Sequence, residues 1–321
     1  MTEKILLIKA KGGLGNRILS AVNGLIFADL TQRRAVIDWR DGSYAPLGEN
    51  AYPLLFKSES SREVEEFDNF DEVVSPKIWQ GNLSLTPQDM IEKFMPRDHS
   101  NPMAYRRLCT NLDRLDTPNE IAVFWSYLPK FSRIQKHLNQ DSRFRNRNLN
   151  DIISHYLNLY FMPNAYILRE VEGALESIGS PNIGLHIRYT DRKISLKKVK
   201  KALRNRLLVT PNAKIFLATD NAAVQSEIRS EFENVFTIDK YLPNDGSRLH
   251  WPTSDIKKIR EAENALIDMW VLSRCEYLIY SRHSTFSVTS SYLGGIPENR
   301  LYDVDMFSPN VVFKRFIQKY T

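Results

Sequence analysis

The chain has 321 residues, 42% of them hydrophobic, and a net charge of +6, which is enough apolar material for two cores of ordinary domain size. Two cysteines far apart in sequence, Cys109 and Cys275, with no CxxC and no His/Cys cluster, exclude a disulfide framework and a structural zinc site. Neither a signal-peptide pattern nor an apolar run of roughly 20 residues is present, so the expectation is a soluble, cytoplasmic protein whose basic surface favours anionic partners, a peripheral place at the inner membrane surface among them.

In chain order, "KILLIKA" reads as a buried strand, "GGLGNR" as a glycine loop, and "NRILSAVNGLIFADLTQ" as a helix with apolar residues on one face. "RRAVIDW" follows as a second strand, so residues 4–39 read as a βαβ unit with parallel strands. Residues 40–150 are broken by prolines, and "EIAVFWSYL" (120–128) is the strand read there. "LNLYFMPNAYILREVEGALESIG" reads as a loop, then a proline near a helix start, then a helix ending at Gly179. The second half alternates regularly: strands at 182–191, 213–221, 233–239 and "EYLIYS", with a basic helix, a long helix over "EAENALIDMWVLSRC" and a last helix over "TFSVTSSYLGG" between and after them. This is the pattern of a doubly wound parallel sheet.

Open parallel sheets bind ligands at the carboxyl ends of their strands. The polar residues there are His186, Arg188, Thr190 and Asp191 after one strand, Thr219, Asp220 and Asn221 after another, and Arg282, His283, Ser284 and Thr285 after a third. The last set opens a helix, which offers free backbone N–H groups to a phosphate, and Arg188 is placed to grip the same group. The bland readings stand beside these. His186 reads equally as a core histidine, "ATDN" as a helix cap and turn, and the lysines and arginines of 197–206 as a solvated helix face. The arginines at 143, 145 and 147 read as a loop without a nucleic-acid motif. Gly13 and Gly15 form a lone Gly-x-Gly with Ile18 where the dinucleotide fingerprint has a third small residue. On spacing alone the loop is a plain turn, a sugar-nucleotide loop, or a dinucleotide loop supported only by Asp38.

"HIRYTDRK", "IFLATDN" and "ALIDMWVLSRCEYLIYSRHSTFSVTSSYLGG", in that order, resemble the three C-terminal motifs of the GDP-fucose-dependent fucosyltransferases. The last segment is most similar to the branch that holds the rhizobial nodulation and eukaryotic α1,6 enzymes. "GGLGNR" resembles the glycine loop of the superfamily's α1,2 and protein O-fucosyltransferase branches. The resemblance covers residues 4–56 and 155–295.

It implies an α/β fold of two Rossmann-like lobes, GT-B type, with residues 1–170 as the acceptor-side lobe and 171–321 as the nucleotide-sugar lobe. It also implies an inverting, metal-independent transferase that needs no cofactor and moves fucose from GDP-fucose to an oligosaccharide or lipid-linked glycan. By the same resemblance Arg188 binds the donor diphosphate, His186 and Asp268 lie near the guanosine, and Ser284, Thr285, Phe286 and Ser287 receive phosphate oxygens. Asp220 joins the donor set, and Gly13, Gly15 and Asn16 approach the transferred sugar. The chain departs from the α1,6 pattern in having Tyr189 after Arg188 where those enzymes have a second arginine. It also lacks their downstream glutamate, reading Ile194, Ser195, Leu196 and Lys197 instead. Asp191 is the nearest carboxylate and the candidate base. Transfer from another GDP-hexose and a non-catalytic binding role are the alternatives, and nucleic acid is not an expected partner. Residues 57–120 are the expected determinant of acceptor choice.

Overall fold

The computed structural model describes residues 3–57, 64–68, 73–98, 101, 104–116, 119–190, 193–242, 255–309 and 311–313. The chain divides into two compact units, one up to Met162 and one from Pro163 onward. Residue 170 lies inside a continuous helix of the second unit, Ala165–Ile178.

The first unit is built on a four-stranded sheet of β1 (Ile5–Lys9), β2 (Arg34–Asp38), β3 (Val74–Ser75) and β4 (Ile121–Phe124), in the order β2-β1-β4-β3. Each of its pairings is parallel. Both faces of β1 and β4 are covered, which is why they read as unbroken apolar runs. Helix α1 (Leu14–Leu30) carries the chain from β1 to β2, completing the βαβ unit expected over residues 4–39. The proline-rich middle holds two short helices, α2 (Ala51–Leu55) and α3 (Pro87–Phe94), besides several 3₁₀ turns. Val64, Trp79, Met90, Leu108 and their neighbours close a core against Leu7, Val36 and Val123. After β4 come α4 (Phe131–Gln140) and α5 (Leu149–Tyr160). The stretch Leu157–Tyr160, read from sequence as loop, is thus the last turn of a helix whose start at Asn148 the sequence pattern did not mark.

The second unit opens with α6 (Ala165–Ile178), which ends at Gly179 as expected. Its sheet holds β5 (Asn182–Ile187), β6 (Lys214–Thr219), β7 (Val235–Phe236), β8 (Tyr277–Tyr280) and β9 (Leu301–Asp303), in the order β7-β6-β5-β8-β9, again parallel throughout. Helices α7 (Leu196–Val209) and α8 (Ala222–Glu231) pack Val199, Leu203, Val224 and Ile228 on one face against Leu185, Ile215 and Leu217. Helices α9 (Asp255–Ser273) and α10 (Thr285–Leu293) also belong to this unit. At Gly294, just past α10, an added Cβ would stand 1.8 Å from the carbonyl oxygen of Ser273, so only glycine permits this approach of the two helix ends.

A buried charge network ties β1 to β2. Asp38, 3% exposed, accepts from Lys9 Nζ at 2.6 Å and from Arg40 Nε at 2.9 Å, and Arg40 reaches on to both oxygens of Asp68 at 2.7 and 2.8 Å. Burial pushes the Asp38 carboxyl up, but the Lys9 charge and the Arg40 hydrogen bond outweigh it and hold it below the usual carboxylate range. Replacing Asp38 with Asn strands the buried Lys9 ammonium without its counter-charge. The expected result is a loss of about 3–5 kcal/mol of stability, seen as a lower urea midpoint with an unchanged slope.

Candidate functional site

Because β5, β6 and β8 run in the same direction, their carboxyl ends deliver the expected residues to one edge of the second sheet. The register sets His186 beside Ala218 and Ile187 beside Thr219. His186 is buried, and its ring stacks on Phe286 at the start of α10, 5.0 Å between centroids with 21° between planes. Burial first, then the nearby Arg188 and Lys240 charges, bring its pKa down to about 3, so the imidazole is neutral at physiological pH.

The loop after β5 is held by Asp220 at the end of β6. Its carboxylate accepts from Tyr189 N at 2.7 Å, from Thr190 N at 3.4 Å and from Thr190 Oγ1 at 2.6 Å. Both oxygens of Asp220 are engaged in this way, so the group fixes the backbone that carries Arg188. Asn221 caps α8 by accepting from Val224 N, the plain role weighed for it in the sequence. Asp191 lies outside the described residues.

The start of α10 is unlike most helix starts in the chain. Thr86, Asn148, Asn164, Ser195 and Asn221 each turn a side-chain oxygen back onto the first turn of their own helix. Ser284 occupies the same position on α10 but makes no cap hydrogen bond, so the Ser/Thr capping expected from sequence does not form. Ser287 instead turns its hydroxyl to the carbonyls of Ser281 and Ser284. The Ser284 hydroxyl at this helix start is therefore left available to an anion.

Buried polar atoms without a partner occur in both units, Asn23 Nδ2, Trp39 Nε1 and Trp125 Nε1 in the first and Arg206 Nε in the second among them. Among described buried side chains, three oxygens lack one: Thr219 Oγ1, Asp268 Oδ1 and Ser284 Oγ. All three belong to the second unit, as does His186 Nδ1, which is also unpartnered. Buried polar groups are ordinarily satisfied. Of those that are not, His186 and Thr219 lie at adjacent strand ends and Ser284 at the helix start that follows β8, and with Asp268 they offer a ligand both donors and acceptors. Asp268, on α9, keeps its second oxygen, Oδ2, on the ammonium of Lys240. Burial raises the Asp268 pKa, and the Lys240 charge opposes that rise.

Gly13, Gly15 and Asn16 belong to the first unit. Gly13 stands at the N-cap of α1 with φ −67° and ψ 164°, an extended conformation open to any residue, and Gly15 is in the helix. The residue that must be glycine is Gly12, with φ +91° and Tyr127 3.0 Å from where a Cβ would be. Arg17, fully buried, holds this loop from within: its guanidinium donates to Gly12 O at 2.9 and 3.1 Å and to both Asp41 oxygens, and it lies over Trp39 and Tyr44. A dinucleotide reading fails here, because Asp38 is committed to Lys9 and Arg40. The basic stretches are likewise engaged: Lys200 and Arg204 meet Glu227 and Glu231 of α8, and Arg143 meets Asp141 and Asp29. Sequence reasoning passed over Lys240, Gly12 and the part played by Arg17. The signal for Lys240 was its place directly after "VFTID", a strand ending in polar residues.

Residues 176–319 match the family model of Nodulation protein Z (NodZ). Nodulation protein Z of Azorhizobium caulinodans is 25% identical over 328 aligned positions, which take in 93% of this chain and 90% of that protein. The crystal structure of NodZ α-1,6-fucosyltransferase soaked with GDP-fucose has a TM-score of 0.67 at 21% identity, covering 92% of this chain and 94% of that one. Fucosyltransferase NodZ from Bradyrhizobium gives 0.67 at 22% identity over the same shares. POFUT1 in complex with GDP-fucose gives 0.53 at 11% identity, covering 94% of this chain and 97% of that one. The family resemblance carried by the four sequence motifs is thus met both by the NodZ match in the second unit and by relatives that span nearly the whole chain. The fold is the GT-B-type, Rossmann-like fold of these glycosyltransferases.

The neutral His186 has a measurable consequence. Its folded pKa lies below the value of the unfolded chain, so the unfolded state binds the extra proton between about pH 6.5 and 3, and stability falls as the pH drops through that window. The slope from this one group is up to ~1.4 kcal/mol per pH unit. His186→Phe is expected to remove it, and chemical unfolding of both proteins at pH 7, 6, 5 and 4 reads the difference.

Proposed function

We propose that the chain is a fucosyltransferase that moves fucose from GDP-fucose to a hydroxyl of an oligosaccharide or lipid-linked glycan. The observation that carries this reading is the set of unpartnered buried polar atoms on the second unit together with the uncapped amino end of α10. The NodZ structure soaked with GDP-fucose and the POFUT1 complex with the same donor support it.

In this reading the carbon–oxygen bond between fucose and the diphosphate breaks while the acceptor oxygen bonds to the same carbon from the opposite face, with inversion. Positive charge develops on the sugar ring and negative charge on the departing diphosphate. Arg188 and the first turn of α10, with Thr285, Phe286 and Ser287, take that negative charge, and the Ser284 hydroxyl donates to it. In this reading an arginine and a helix amino end supply the stabilisation that a metal gives elsewhere. Asp220 acts one step removed, fixing the loop that presents Arg188. His186 and Asp268 face the nucleoside. Asn16, with Gly13 and Gly15, contacts the transferred sugar, and Asp191 takes the acceptor proton.

No described helix is long and apolar enough to cross a membrane. A lipid-linked acceptor would therefore be met at a membrane surface rather than within it.

The test is thermal stabilisation by GDP, GDP-fucose, GDP-mannose, UDP and NAD in EDTA, on wild type and Arg188→Ala. Ligand at a hundred times its dissociation constant adds about 2.7 kcal/mol. The expected result is stabilisation by GDP and GDP-fucose that Arg188→Ala loses, with donor turnover in that variant lower by on the order of a hundredfold. Preference for GDP-mannose would move the reading to another GDP-hexose. Absence of any shift with guanine nucleotides would overturn it.

A further inference from the structure

The reading above does not use Lys240, and its position asks for an explanation. It lies beyond β7 at one edge of the sheet, yet its ammonium is carried inward to Asp268 on α9, where both side chains are nearly buried, 10% and 3% exposed. A lysine with a four-carbon stem ordinarily keeps its charge in water. Here the charge lies on one oxygen of a buried carboxylate, while the other oxygen, Oδ1, is left bare.

The arrangement divides the carboxylate in two. Burial favours the protonated acid, and the Lys240 ammonium favours the ionised form. A protonated Asp268 would offer a hydroxyl as donor and a poor acceptor. An ionised one with Oδ2 already engaged offers a single strong acceptor, Oδ1, in a fixed direction. Guanine is the common nucleobase whose pairing edge sets two N–H donors side by side, at N1 and at the exocyclic N2. Adenine opposes an acceptor and a donor there, and uracil an acceptor, a donor and an acceptor. A desolvated carboxylate oxygen is matched by the guanine edge and repelled by the acceptor atoms of the others.

We infer that Lys240 is the positioning residue for base selection: by holding Oδ2 of Asp268 it fixes the carboxylate and leaves Oδ1 to the N1–H and N2–H donors of a guanine nucleotide. The inference rests on GDP-sugar use and adds to it the residue that sets the base preference. His186, within reach of the Lys240 charge, is neutral and stacked on Phe286, so it brings no competing positive charge.

The experiment compares GDP with IDP, which lacks the N2 amine, by isothermal titration of wild type, Lys240→Met and Lys240→Arg. A hydrogen bond to a charged group is worth roughly tenfold or more in affinity, so wild type is expected to prefer GDP over IDP by about tenfold or more. In Lys240→Met that ratio should collapse toward one, and in Lys240→Arg, which keeps the cation, it should largely return. A purely structural lysine would weaken both ligands equally and leave the ratio in place, and that outcome overturns the inference. Should Lys240→Met not fold, Lys240→Gln replaces it, and the ratio for Lys240→Arg still decides. If wild type binds neither nucleotide, the donor reading itself has failed. If it binds GDP and the ratio is indifferent to residue 240, only the role of Lys240 has.

Discussion

The common direction of β5, β6 and β8 is the constraint on which the rest of the site depends. A parallel sheet satisfies its own backbone groups and leaves the loops at its carboxyl edge to decide what is presented. Here those loops follow strands buried on both faces, so the residues at their ends start from rigid positions. His186 and Thr219 are still within the sheet, and Arg188, Asp220 and Ser284 come within a few residues of it. One further contact stiffens the edge: Asp220 ties down the β5 loop.

Such an edge is costly to keep without a ligand. Each buried polar atom left unpaired carries a penalty of about 1–3 kcal/mol, and among the described residues the second unit has five, on His186, Arg206, Thr219, Asp268 and Ser284. Against a net stability of roughly 5–15 kcal/mol for a folded domain, that penalty is large, and the continuous apolar packing of Leu185, Ile215, Leu217 and Ile279 beneath α7 and α8 must offset it. Groups held this way need no reorganisation when charge appears near them. This is the physical content of a preorganised site.

The first unit shows the contrast. It has the same kind of parallel sheet, but the charged groups beyond β1 and β2 are turned on one another: Lys9 with Asp38, Arg40 with Asp38 and Asp68, Arg17 with Asp41 and the carbonyl of Gly12. Those charges are used for architecture, above all to hold the glycine loop in shape. The two sheets share a plan and differ in what their strand-end charges do: in the first unit these are paired with one another.

Much of this was legible in the residues. Runs such as Ile5–Ile8, Ile183–Ile187 and Ile215–Ala218 are apolar because both faces of their strands are covered, and that fact survives without coordinates. The stop at Gly179, the solvated face of α7 and the polar strand ends follow from equally local rules. What escaped were elements too short to carry a period, β3 and β9, the proline-broken turns of the middle region, and the helical state of Leu157–Tyr160. The site was legible as a set of residues and not as a set of roles. That Asp220 would serve the loop, that Ser284 would cap nothing, and that Lys240 would reach Asp268 across 28 positions are outcomes of which atoms fold against which. The sequence by itself determined where strands end and which side chains arrive there, because backbone period and burial are written locally. Only the tertiary structure decided which of those side chains are satisfied by neighbours and which are left for a ligand, because hydrogen-bond partners are chosen in space and not along the chain.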